Sequence, residues 1–120
     1  MSDEIGLKDY SLKETTDRGT VIVLRRDVEF ILDGKVYVMP AGVESDGFSC
    51  PRWAQRIVAP QFDKRTLSSA VKHDFIYMTH ICSRLYADWI FMCDLIDRGF
   101  PVLKAILTFI GVRFGGWFHW

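Results

Sequence analysis

His73, Asp74 and Asp88 are the residues whose types and spacing suit chemistry in this chain. An imidazole within reach of carboxylates is the group set of a general base with its orienting acid, or of part of a divalent-metal centre. Helical periodicity runs from Arg65 to Thr79 and again from Ser83 to Arg98, with a short turn between. If the two helices pack antiparallel, His73 and Asp88 stand equidistant from the turn, and Tyr77 and Arg84 form a second matched pair one turn closer to it. Ala70, His73, Tyr77 and His80 share one face of the first helix, while Val71, Phe75 and Met78 mark a neighbouring apolar face. A seam carrying His, Asp, Arg and Tyr must satisfy those groups mutually or bind something, because burying a polar group without a partner is costly.

The elements that position this seam are of two kinds, extended in the first part of the chain and helical in the second. Thr20 to Leu24 is rich in β-branched residues, and Val28 to Leu32 runs through Asp33-Gly34 into Lys35 to Met39. Asp-Gly between apolar runs favours a two-residue type I′ turn, which pairs Leu32 with Lys35, Phe30 with Tyr37 and Glu29 with Val38. Pro40 ends the second strand. A turn-rich loop follows, in which Asp46 suits a turn, Ser49 can cap a helix and Pro51 fits that helix's first turn; Asp46 and Arg52 are further candidates for the polar cluster. A third helix starts near Pro101, after the Gly99 stop, and runs to Phe114. Lys104 and Arg113 interrupt its apolar surface, leaving Ala105 to Val112 uncharged, too short to span a bilayer. The aromatic ending Trp117-Phe118-His119-Trp120 is expected to fold back on the core or to anchor a partner. The fold expected is therefore α+β: an antiparallel β-hairpin or small sheet packed on three helices, with residues 1–18 a polar arm and residues 19–120 one domain.

Fifteen basic and fifteen acidic residues cancel, so the chain lacks the cationic surplus of a protein that coats nucleic acid. The three cysteines, Cys50, Cys82 and Cys93, form no CxxC, and Met1 to Tyr10 is polar and acidic, so they read as reduced thiols in a cytoplasm. Cys93, set among apolar neighbours, reads as a small buried hydrophobe.

The ordered set Val38-Met39-Pro40-Ala41-Gly42-Val43, Ser45 to Arg52, Ala70-Val71-Lys72-His73-Asp74-Phe75-Ile76-Tyr77, Ser83-Arg84 with Ala87-Asp88, and Val112-Arg113-Phe114-Gly115 resembles the small phage and prophage family catalogued as domain of unknown function 1353. The resemblance extends from about Val21 to Trp117. Val43 stands where that family usually has Phe, and Ser45 where it has Thr. It implies a viral origin, and so a place in the host cytoplasm or the assembled virion, without implying an activity.

Four uses of the cluster compete. His73 and Asp88, with Asp46 or Asp74, are candidate ligands for zinc or a similar divalent metal with one position open to water. Ser49 or Cys50 could serve as nucleophile with His73 as base and Asp88 or Asp46 behind it, although Ser49 also has a helix to cap. Asp46, Arg52, His73, Arg84 and Asp88 could equally form an ion network that fastens the loop to the helix pair. The fourth use is recognition of another phage or host protein by the polar seam or the aromatic tail. The expectation carried forward is a phage protein of virion assembly or protein-interaction type, with a metal-dependent hydrolase built on His73, Asp88 and Asp46 as the alternative.

Overall fold

A computed structural model describes residues 5–16, 19–45 and 66–115. These residues form an α+β architecture in which small antiparallel sheets precede three helices. Strands β1 (Tyr10–Thr15), β2 (Gly19–Leu24) and β5 (Glu44–Ser45) make one sheet in the order β1-β2-β5. Strands β3 (Val28–Leu32) and β4 (Lys35–Met39) make the hairpin. Helices α1 (Leu67–Thr79), α2 (Arg84–Asp97) and α3 (Val102–Gly115) follow.

The hairpin obeys its turn chemistry. Asp33 and Gly34 both adopt positive φ, 52° and 78°, as a type I′ turn demands. The resulting register sets Leu32 against Lys35, Phe30 against Tyr37 and Glu29 against Val38. Alternation then turns Val28, Phe30 and Leu32 inward, where Phe30 meets Phe75 of α1 edge to face at 6.0 Å. Tyr86 of α2 donates to the Asp33 carboxylate, tying the turn to the helices.

The amino-terminal segment departs from the polar arm expected over residues 1–18. It supplies β1, an edge strand in register with β2 from Tyr10 opposite Leu24 to Thr15 opposite Gly19. The chain before it is also anchored, for Ile5 is buried and its amide donates to Ser68 Oγ of α1 at 2.7 Å. A strand that leaves most of both faces in water shows no alternation of apolar and polar residues, so its sequence looks like that of an unstructured arm. Polar pairs hold it instead: Thr20 donates to Glu14, its cross-strand neighbour, and Lys13 reaches Glu44.

Helix α1 is the central element, buried along almost its whole length. Val71 and Phe75 join the core beneath the strands, whereas Ala70 belongs to a second apolar cluster with Phe91, Leu95 and Phe100. Met78, expected on the apolar face, is instead largely exposed. It lies in the last turn, where α1 ends with His80 in the left-handed conformation and its amide bonded to Ile76 O. Ser83 caps α2 by accepting from the Tyr86 amide. At the other end, Gly99 at φ 88° lets its own amide reach Ile96 O and the Phe100 amide reach Leu95 O, the hydrogen-bond pair of a Schellman stop. Phe100 is thereby turned into the helical core, and α3 begins just after Pro101.

Candidate functional site: a buried carboxylate shared by three helices

Asp88 is fully buried at the seam of α1 and α2. The helical hairpin brings His73 Nε2 to 2.8 Å from its Oδ1, and Tyr77, one turn along α1, donates to the same oxygen at 2.5 Å. Its other oxygen, Oδ2, accepts from Arg113 Nη1 of α3 at 3.0 Å. One carboxylate thus binds three helices together. The His73 ring lies between two aromatic neighbours, stacked on Phe91 at 4.4 Å and tilted against Tyr77 at 4.3 Å.

Burial alone would raise the pKa of the Asp88 carboxyl, since it disfavours the charged form. The hydrogen bonds from His73 and Tyr77, the charge of His73 and the bond from Arg113 outweigh that penalty, and the carboxyl sits below its ordinary value. The Tyr77 phenol moves upward, first through burial and then through its bond to the anionic Asp88, while neighbouring Arg84 opposes the shift. Tyr77 is accordingly a permanent proton donor to Asp88 near neutrality.

Arg84 does not take the carboxylate. Its Nη2 donates to Val112 O at 2.8 Å and to Arg113 O at 2.7 Å, two carbonyls in the last described turn of α3. This bond to the backbone of Arg113 fixes the place from which the Arg113 side chain reaches Asp88. Among the described residues, Arg84 Nε is a buried donor without a hydrogen-bond partner.

The other expected residues separate. Asp74, although next to His73, points to the sheet side and accepts from Ser45 Oγ of β5. His80 closes α1 and is exposed. Cys82 and Cys93 are free thiols and half-buried, so Cys93 is less enclosed than its neighbours in the sequence suggest. Asp46, Ser49, Cys50 and Arg52 lie outside the described residues, as does the aromatic ending after Gly115. The expected metal set of His73, Asp88 and Asp46 is therefore represented by its first two members, and no group of three or more His, Cys, Asp and Glu placed to hold a metal occurs among the described residues. Both oxygens of Asp88 already meet protein donors, which leaves a cation at this carboxylate to compete with Arg113.

Arg113 is the cluster member that local pattern left unassigned. Its signal is the one charge in the last turn of a helix whose other charge, Lys104, lies in the first, a position that demands a partner if the helix packs on its neighbours. A second polar group was also missed: Asp94 of α2 accepts from Ser69 Oγ at 2.6 Å and from Arg98 Nε at 3.0 Å, with Lys72 Nζ at 3.3 Å.

His73, Tyr77, Arg84 and Asp88 all fall within residues 22–112, the span matched by the model of a family described as protein of unknown function, DUF1353. The chain belongs to the DUF1353 family. Arg113 follows the last residue of the DUF1353 match directly, and β1 precedes its first. No curated protein and no solved structure matches the chain. Among the described residues of this DUF1353 member, no helix is long and apolar enough to cross a membrane.

Proposed function

We propose that this protein works by binding, as a small phage or prophage protein of virion assembly or of a complex with another viral or host protein, in the host cytoplasm or the virion. In this reading the buried polar cluster holds the three helices in the arrangement that presents their outer surface. The observation that carries it is the occupancy of Asp88: a fully buried carboxylate with one oxygen bonded to His73 and Tyr77 and the other to Arg113. A general base, an orienting acid with a nucleophile beyond it, or a metal ligand needs an approach for substrate, water or ion. A carboxylate of α2 whose two oxygens both accept from donors on the two other helices has the makings of a latch. The phage setting is supported by the ordered motifs that resemble the phage and prophage family.

Thermal unfolding of Asp88→Ala and His73→Ala beside the parent chain tests the reading. Removing one partner of a buried ion pair typically costs about 3–5 kcal/mol, so the Asp88→Ala melting temperature should fall by roughly 10–20 °C. A catalytic cluster behaves in the opposite way, because crowded polar groups kept for chemistry lower native stability. Two well-folded variants melting with the parent would sink the latch and return the hydrolase to first place.

A further inference from the structure

The surface that the latch holds outward is apolar. Leu103, Ile106, Leu107, Ile110 and Phe114 recur on α3 at the spacing of a single helical face, opposite the buried Ala105 and Thr108. Leu103 is 70% and Phe114 79% exposed, and the three residues between them retain over 40%. No charge interrupts the face: Lys104 is half-buried at its margin, and Arg113 is drawn inward to Asp88. Gly111 borders the same face, with nothing within 4 Å of the position a Cβ would take. A glycine inside a helix costs about 1 kcal/mol relative to alanine, and at an open surface it gives another backbone room to approach.

We propose that this face is the contact between two copies of the chain, packed α3 against α3 antiparallel about a twofold axis. The inference rests on the binding reading above and names one partner for it. Self-pairing suits the face because an isologous contact requires a surface complementary to itself, and an uncharged stripe meets its own copy without like-charge repulsion. A partner selected by charge has nothing here to read. A lipid surface is disfavoured, since interfacial helices carry several basic residues beside their apolar face, whereas α3 has Lys104 alone at the margin and Arg113 is drawn inward to Asp88. The size also fits. The exposed apolar side chains offer on the order of 500 Å² per copy, about twice that in a pair, near the lower bound of a specific interface and in the size range of reversible contacts. Trp89 of α2, half exposed and edge-on to Phe109 at 5.9 Å, extends the flank.

Sedimentation equilibrium of the full chain across the micromolar range reads the proposal. The expected result is a concentration-dependent shift from monomer to dimer mass, and loss of the dimer in Leu103→Glu/Leu107→Glu, which sets a charge at 103 against Phe114 of the other copy and brings the two charges at 107 near one another beside the axis. The melting temperature of dilute protein should not change, because both residues are substantially exposed in the monomer. The stripe's midpoint lies between Leu107 and Ile110, so Ile110→Cys should form an intermolecular disulfide under mild oxidation; this second arm does not depend on the double variant folding. A parent chain monomeric throughout the range would overturn the proposal, whether the face is covered by this chain's own remaining residues, by lipid or by a different protein. A dimer that survives the double variant, with Ile110→Cys uncrosslinked, would overturn it equally. Neither result touches the melting behaviour of Asp88→Ala, so failure here and failure of the latch are distinguishable.

Discussion

Two carboxylates on α2, Asp88 and Asp94, tie that helix to α1, and they do so under different conditions. Asp88 is sealed from solvent, and its partners come from α1 and α3, with His73 and Tyr77 on one side and Arg113 on the other. Asp94 keeps 17% of its side chain exposed and draws on Ser69 and Lys72 of α1 and on Arg98 of its own helix. Long aliphatic stems let Lys72 and Arg98 swing toward water if their partner is lost, a relaxation that the rigid, stacked His73 ring does not have. The same residue type therefore makes a latch at one end of the seam and an adjustable tether at the other. What separates them is how far the surrounding groups can move to meet solvent.

The sharpest test of that difference is the pair Asp88→Ala and Asp94→Ala under chemical denaturation. The first should lose about 3–5 kcal/mol, the second roughly 1–2, with unchanged m-values if both remain two-state. Equal losses would erase the distinction. Tyr77→Phe comes next in size: it removes one hydrogen bond to a charged acceptor and leaves the ring, so a loss of about 1.5–3 kcal/mol is expected in the same measurement. A value near zero would mean that His73 and Arg113 alone satisfy Asp88.

Acid provides a third comparison. The Asp88 carboxyl is held below its ordinary value, so the folded state binds that proton less readily than the unfolded chain. Its contribution to stability is present above the unfolded pKa of about 3.9 and is lost as pH falls through the lower folded value. Urea midpoints taken from pH 6 downward should fall steeply in the parent and less so in Asp88→Asn, which carries no titrating group at that place. Parallel profiles for the two proteins would assign the acid sensitivity elsewhere. The smallest effect belongs to the exposed sheet edge, where Lys13→Ala removes a surface pair with Glu44 and should cost less than about 1 kcal/mol.

Much of this arrangement was legible in the amino-acid sequence wherever the determinants are local. Asp33-Gly34 dictates its own turn and, through it, every pairing of β3 with β4. The approach of His73 to Asp88 follows from helical spacing and a short connection, since residues equidistant from a turn meet across it. The third partner, Arg113, lies 25 residues beyond Asp88 on a helix whose rotation about its axis is set by tertiary packing. For Arg84 the place beside Tyr77 was visible, but its bonds to the Val112 and Arg113 carbonyls were not, because they too depend on how α3 packs. Strand β1 was missed because residues wet on most of both faces carry no periodic signal, and Asp74, a candidate through its adjacency to His73, meets Ser45 instead because consecutive residues of a helix point to different faces.

The bond from the Ile5 amide to Ser68 crosses 63 positions of sequence. Its consequence concerns the order in which the chain can mature during synthesis. The β1–β2 ladder joins near neighbours and can form soon after its residues emerge, but Ile5 has no receptor until the first turn of α1 has been made. Until then an apolar side chain and an unpaired amide stand ahead of a finished hairpin, in a state open to wrong partners. Closure of this contact is thus a late event that depends on the helical half, and variants that slow α1 should prolong the vulnerable interval even where the final stability is unchanged.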